Sequence, residues 1–275
     1  MKEYIGKMGL YDGKIIELSE ITQSHTEYFS VYEVVRIEQG VPLFLDAHLE
    51  RLFHSLSLES LVINETQNAL SQEVNRLIEE NDYSYGKIKF VFYFPKYPQS
   101  HDYHYLIYFT EAIFPERDQY QEGVEVGICQ AVRNDPNAKV MNTAARKLAD
   151  QRIQENNVFE VLLVDDEGYI TEGSRSNVFF IFRDQLVTPP DEAVLQGIAR
   201  KNVIEICKER DIPLEIRKVH RSELQQAESI FLTGTSLKVL PVGQIDNFKY
   251  RVNSKLLVFL ISGYDQKIEK HISNK

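Results

Sequence analysis

The sequence predicts an α+β protein of two domains, on three observations. Apolar residues recur at strand period and at helical period along the whole chain, with more strands than a doubly wound α/β fold would use. Charge and turn residues over Pro115–Gly123 interrupt that pattern and separate an N-terminal α/β domain, residues 1–115, from a larger domain, 122–275. The length of 275 residues accommodates one large or two smaller domains, and a hydrophobic fraction of 43% suffices for a well-buried core.

In the first half, Val31–Ile37 is rich in β-branched residues, and Gln39-Gly40 turns it into Val41–Leu45, a hairpin signal. Asp46 is the expected N-cap of a helix over Ala47–Leu61, whose Leu49, Leu52, Phe53, Leu56 and Leu61 recur at helical spacing. A second helix is expected over Glu65–Asn81, then a strand pair, Ile88–Phe94 and Tyr103–Phe109. The second half opens with a strand, Val124–Ala131, a polar turn, Arg133–Pro136, and a long helical stretch to about Asn157. Val158–Val164 reads as a strand, apolar but for Glu160. Tyr169–Thr171, Asn177–Phe182 and Leu186–Val187 continue the sheet. Gly197 precedes an amphipathic helix, Ile198–Arg210. Leu214–Val219 and Ile230–Leu232 read as strands and Leu256–Ile268 as a helix.

Composition narrows the function. With 31 basic and 41 acidic side chains the net charge is −10, against a nucleic-acid binder or a partner of anionic membranes. Cys129 and Cys207 lie far apart and match no metal spacing, as expected of core thiols in a reducing compartment. The opening MKEYIGKMGLYDGK has no apolar core of a signal peptide, and no run approaches the ~18 apolar residues of a membrane span. The expectation is a soluble cytoplasmic protein that binds no metal.

Taken singly, the polar candidates are ordinary: Lys139 in a turn, Glu172 at a strand end, Arg51 on a helix, Gly197–Ala199 at a helix start, Thr233–Ser236 after a strand. Their combination is more telling. A helix N-terminus with free N–H groups binds phosphate, a strand-end run of hydroxyls adds donors, and an arginine adds a bidentate cation. A lysine amine and a carboxylate complete what pyridoxal phosphate requires, the first to form a Schiff base and the second to keep the ring nitrogen protonated.

From about Tyr28 to Asp246 the chain resembles the class IV, fold-type IV pyridoxal-phosphate enzymes: branched-chain aminotransferases, D-amino-acid aminotransferases and 4-amino-4-deoxychorismate lyases. The motifs are EGYITEGSRSNVFFI, LVTPP, LQGIAR and AESIFLTGTSLKVLPVGQID, in the family's order. The resemblance implies a smaller N-terminal α/β domain, a larger C-terminal pseudo-barrel with the cofactor in the cleft, and a homodimer. It places the Schiff-base lysine on Lys139 (KVMNT), the pyridine-nitrogen carboxylate on Glu172, and the phosphate arginine on Arg51 (HLERL). Ile198 and Ala199 match the backbone phosphate site, Thr235 the hydroxyl phosphate ligand, and Tyr32 (VYEVV) a tyrosine on the substrate side. The implied activity moves an amino group between an amino acid and a 2-keto acid. The alternatives are an aminodeoxychorismate lyase releasing pyruvate and 4-aminobenzoate, or a non-catalytic binding protein on the same fold.

Three departures stand out. Tyr28-Phe29-Ser30 replaces a Gly-Asp-Gly-like stretch, and Ala199 replaces a threonine, which removes a hydroxyl but not the N–H contacts. The Arg-x-His carboxylate trap of the D-amino-acid branch is not found. Lys96, His101 and His104 within KFVFYFPKYPQSHDYHY are the candidates to replace it, though a residue at each of these places is more often an ordinary loop residue.

Overall fold

A computed structural model of the chain describes residues 4–21, 28–95, 103–111, 114–133, 135–141, 143–183 and 185–275. Lys96 and His101 lie outside the described residues. The chain divides into two compact units. The first is Met1–Ile113 with Ala138–Met141 and Glu269–Lys275, and the second is Phe114–Asn137 with Asn142–Ile268.

The first unit is a six-stranded antiparallel sheet and two helices: β1 (Met8–Tyr11), β2 (Lys14–Glu17), β3 (Tyr28–Glu38), β4 (Val41–Pro42), α1 (Leu45–Leu58), α2 (Gln67–Asn81), β5 (Tyr85–Pro95) and β6 (His104–Thr110), in the order β2-β1-β6-β5-β3-β4. Gln39 and Gly40 both take positive φ (54° and 77°), the geometry of a tight two-residue hairpin turn, as the sequence led one to expect. The hairpin β1–β2 was not foreseen. Its signal is Asp12-Gly13, again both at positive φ, between two strands of only four residues.

Asp46 is not the N-cap of α1. The helix begins two residues earlier, at Leu45 after Phe44, which sits at φ 53° and caps with no side chain. The Phe44 N–H donates instead to His271 Nε2 at 3.1 Å. Asp46 falls in the first turn, where its charge suits the helix dipole. α2 is capped by Thr66, whose side chain accepts from the Ala69 N–H. Leu49, Leu52 and Leu56 of α1 and Leu70, Val74 and Leu77 of α2 pack on Val31, Val35, Ile37, Ile88, Phe90 and Phe92 of the sheet.

The second unit contains α3 (Arg117–Glu122), β7 (Val124–Gln130), α4 (Ala144–Asn156), β8 (Glu160–Val164), β9 (Tyr169–Gly173), β10 (Asn177–Phe182), β11 (Gln185–Thr188), α5 (Ile198–Glu209), β12 (Leu214–Ile216), β13 (Val219–His220), β14 (Ser229–Gly234), β15 (Lys238–Ile245) and β16 (Phe248–Lys249). It also holds most of α6 (Lys255–Ser273). The ten-stranded sheet runs β12-β11-β10-β14-β15-β7-β8-β9-β13, with β16 on β15. Its two terminal strands, β12 and β13, are separated in sequence only by Arg217 and Lys218. The chain therefore joins both ends of the sheet, which curls into a barrel-like wall around Val126, Leu162, Val178, Phe180, Leu232 and Leu240.

The expected single strand over Leu214–Val219 is thus two, because its halves pair with different partners: β12 with β11, and β13 with β9. The helix expected after Pro136 starts only at Ala144, where the Thr143 hydroxyl accepts from the Arg146 N–H. The sequence pattern does not disclose β15. That strand carries Pro241, a poor strand former, and a register shift between Val242 and Gln244 around Gly243. A Cβ on Gly243 would lie 2.6 Å from the Glu122 carbonyl oxygen, so the close approach there requires glycine.

Candidate active site

In the first unit, Lys139 lies on a short extended segment beside β3. Val140 bridges Val31, Tyr32 N–H donates to the Lys139 carbonyl at 3.1 Å, and Met141 N–H donates to the Ser30 carbonyl at 3.0 Å. The Lys139 N–H donates to the Ser55 hydroxyl of α1 at 3.2 Å. These main-chain bonds fix the segment and put the Lys139 amine over the Tyr32 ring, Nζ 4.6 Å from its centroid.

On the other face of β3, Glu33 is fully buried among the apolar residues packed on α1. Arg51 grips it with a two-pronged pair, Nε to Oε2 at 2.8 Å and Nη2 to Oε1 at 2.7 Å. His48 Nδ1 stands 3.2 Å from Glu33 Oε1. Burial alone would raise the Glu33 carboxyl, but the Arg51 guanidinium and His48 outweigh it and hold the group well below the usual carboxylate range. Burial pushes His48 down, and the Arg51 and Lys139 charges add to that against the pull of Glu33.

His48 therefore stays neutral when folded. The unfolded histidine takes a proton below about 6.5 while the folded one resists it, so its contribution to stability is present above that value and is lost as pH falls. His48→Gln is expected to flatten the decline of the melting temperature between about pH 6.5 and 5, read by scanning calorimetry across that range.

In the second unit, Glu172 at the end of β9 is also buried. Its Oε2 accepts from the Leu195 N–H at 3.1 Å and from Asn177 Nδ2 at 3.3 Å, and its Oε1 lies 3.2 Å from Arg133 Nε. Asn177 also donates to the Leu195 carbonyl at 2.8 Å, so one side chain joins Glu172 to the loop that leads into α5. α5 begins at Ile198 after Gly197, with no side chain capping its first N–H groups, and Ile198 and Ala199 are buried there. Arg200 ties that turn down through Asp191 and the Pro189 carbonyl.

Asn177 pairs in register with Thr233 on β14, and Thr235 follows the end of that strand. The Thr233 hydroxyl is buried and has no hydrogen-bond partner among the described residues. The buried Glu160 carboxylate accepts from the Arg175 N–H and the Ser176 hydroxyl, and so holds the turn between Glu172 and Asn177.

Each unit thus gathers its own share of the expected residues: Tyr32, Arg51 and Lys139 in the first, Glu172, Ile198, Ala199 and Thr235 in the second. Sequence reasoning missed Glu33, His48 and Ser55 in the first and Arg133 in the second. It left Asn177 without a role. His104, a suggested carboxylate ligand, lies 2.7 Å from Asp12 and stacks on Tyr11.

Gly197 is closely fitted. A Cβ there would collide with Asn177 Oδ1, and Asn177 cannot swing away without breaking its bonds to Glu172 and Leu195. Gly197→Ala is expected to cost about 1–3 kcal/mol of stability, the usual penalty of forced overpacking. A urea titration measures it.

A buried strand-end carboxylate, an uncapped helix start, an unsatisfied hydroxyl and a positioned lysine amine suit a phosphorylated aldehyde cofactor. Residues 30–245 match the amino-transferase class IV family, and the chain belongs to it. It is 29% identical over 250 residues to a D-alanine aminotransferase of Bacillus licheniformis, covering 86% of this chain and 88% of that one. It is 30% identical over 274 residues to a probable branched-chain-amino-acid aminotransferase of Aquifex aeolicus, covering 90% and 88%. The fold is that of the Thermobaculum terrenum branched-chain aminotransferase solved in its PLP form, with a TM-score of 0.85 at 23% identity over 98% and 96% of the two chains. The chain is a class IV aminotransferase. No helix among the described residues is long and apolar enough to cross a membrane.

Proposed function

We propose that this aminotransferase moves an amino group between an amino acid and a 2-keto acid with Lys139 as its covalent and proton-transferring amine. The observation that carries the reading is the Lys139 segment, locked by three main-chain bonds beside Tyr32 in a chain of this family. Pyridoxal phosphate, when bound, supplies the electron sink that makes the substrate α-hydrogen acidic.

The chain's own residues do the rest. Lys139 Nζ takes the proton from the substrate α-carbon and returns it. Glu172, fixed by Asn177 and the Leu195 N–H, supplies the negative charge that keeps the ring nitrogen protonated. The N–H groups of Ile198 and Ala199, the Thr235 hydroxyl and the Arg51 guanidinium serve the phosphate. Tyr32 lines the substrate side.

The relatives' names make D-alanine and the branched-chain L-amino acids the donors to test first, with 2-oxoglutarate and pyruvate as acceptors. The expected result is keto-acid-dependent amino transfer by protein supplied with the cofactor. Release of pyruvate from aminodeoxychorismate with no amino transfer would replace this reading by the lyase. The net charge of −10 and the buried, unlinked Cys129 and Cys207 support action in a reducing cytoplasm. The family resemblance supports a homodimer, which analytical ultracentrifugation tests.

A further inference from the structure

α1 begins on a strained residue. Phe44 holds φ 53° and ψ 35°, the left-handed region that a bulky side chain rarely adopts, and its side chain caps nothing. Strain of this kind persists only where the surroundings fix the backbone. Here they fix it on both sides. The His48 N–H donates to the Phe44 carbonyl at 3.1 Å, and the Phe44 N–H donates to His271 Nε2 at 3.1 Å. His271 stands in the last turn of α6, within the stretch Glu269–Lys275 that belongs to the first unit. Its ring packs on the Phe44 ring, with centroids 4.7 Å apart.

A ring nitrogen that accepts an N–H carries no proton of its own, so acceptance at Nε2 assigns a neutral imidazole with its proton on Nδ1. Burial holds His271 below the ordinary histidine value. A hydrogen bond to the Pro42 backbone and the charge of Asp46 in α1 oppose that, Lys275 adds to it, and burial wins. α1 is also the helix that carries the supports of the site. One turn on from Phe44, His48 stands 3.2 Å from Glu33 Oε1, and Glu33 takes the two-pronged bond of Arg51. A turn beyond Arg51, the Ser55 hydroxyl accepts the Lys139 N–H at 3.2 Å.

We propose that His271 is a positioning residue of this aminotransferase: from the last turn of α6 it caps α1, and so sets His48, Arg51 and Ser55 for the lysine amine. The assignment rests on the reading of Lys139 as the reacting amine. Protonation puts a hydrogen on Nε2, where the Phe44 N–H already points, and the cap is lost. A released imidazole takes a proton below about 6.5 while the docked one resists it. The cap is therefore complete above that value and weakens as pH falls.

The test compares holoenzyme of the parent, His271→Gln and His271→Leu by amide hydrogen exchange over residues 42–50, corrected for the intrinsic pH dependence of exchange. Glutamine keeps an acceptor and does not titrate; leucine keeps bulk without an acceptor. Near pH 7.5 leucine is expected to speed exchange at the start of α1 by about threefold to thirtyfold, the equivalent of one lost N-cap. Glutamine leaves it close to the parent's. On going to about pH 5.5 the parent opens up to about tenfold more than the glutamine variant does. His48 titrates in all three proteins, so the difference belongs to residue 271. Turnover follows the same order: leucine lowers kcat, and glutamine restores it. Equal exchange in all three, or a parental pH response that glutamine shares, overturns the proposal. So does a leucine variant that exchanges faster yet turns over at the parent's rate.

Should His271→Leu fail to fold, the ring nitrogen NMR resonances of the parent decide, identified by their loss in His271→Gln. An Nε2 that is bare near pH 7.5 and gains its proton in step with the faster exchange of Phe44 sustains the cap. An Nε2 that is protonated near pH 7.5 overturns it. Absence of amino transfer by the parent would instead sink the reaction assigned to Lys139. The exchange experiment needs no turnover and judges the cap by itself.

Discussion

Lys139→Ala is expected to abolish amino transfer while leaving the fold and its melting temperature essentially as they are. The geometry separates the two effects. All three hydrogen bonds that hold the segment at this position use main-chain atoms: the Lys139 carbonyl and N–H, and the Met141 N–H. None needs the lysine side chain. Alanine therefore removes the amine and its contact with the Tyr32 ring but leaves these main-chain bonds in place, a change of the size expected for a half-buried side chain, about 0.5 kcal/mol.

Loss of the positioned proton-transfer group alone costs about 10²–10⁴-fold in rate, and loss of the covalent attachment adds to it. Lys139→Arg sharpens the test. It keeps a cation over the ring, yet a guanidinium stays protonated and cannot act as nucleophile or base. Both variants should fail alike. Borohydride followed by peptide mass spectrometry should find the cofactor fixed to residue 139 in the parent and in neither variant. Turnover by Lys139→Ala at the parent's rate would end the assignment.

How much of this was legible beforehand varies with the kind of signal. Strands and helices with a clear apolar period were found, and so was the β3–β4 turn, because Gln39-Gly40 is a local signal. β15 was not, because Pro241 and Gly243 look like breakers until pairing with β14 and β7 supplies a strand position that tolerates them. Leu214–Val219 has an unbroken strand pattern, and only the closing of the barrel-like sheet decides that its halves pair at opposite ends of it.

The roles expected of Lys139, Glu172 and Arg51 come from the resemblance alone, and the residues that hold these three in place were not read from the sequence. A signal for three of the supports, Glu33, His48 and Ser55, was present. His48, Arg51 and Ser55 share the buried face of α1 with Leu45, Leu49, Leu52 and Leu56. Glu33 has the same parity on β3 as Val31, Val35 and Ile37. Polar groups on an apolar face are seldom left unpaired, so a buried acid opposite a buried His/Arg pair could have been inferred. Arg133 gave no such signal, since its turn carries no period.

Glu33→Gln is expected to produce the largest loss of stability, about 3–5 kcal/mol, because it leaves the Arg51 charge buried without its counter-ion. The replacement keeps the shape and one acceptor oxygen, so the loss reports charge and not a cavity. It is a large share of the roughly 5–15 kcal/mol that holds most domains folded. The pH dependence carries a sign. The folded Glu33 carboxyl lies far below its ordinary value of 4.5, so its stabilisation is present in full above that value. It drains away as pH falls below 4.5 toward the depressed folded value. The variant should therefore lack that acid limb, and the two denaturation curves should converge as pH drops.

A double replacement, Glu33→Gln with Arg51→Met, separates the pair's two duties. Taking out both partners of a buried ion pair in favour of uncharged groups is often neutral, so most of the lost stability should return. Affinity for the cofactor should not, if Arg51 serves the phosphate as proposed. If the double variant regains both stability and cofactor affinity, Arg51 is a structural partner of Glu33 and no phosphate ligand. If it regains neither, the pair is indispensable to the packing of α1 on β3, and the cost lies in shape and not in charge.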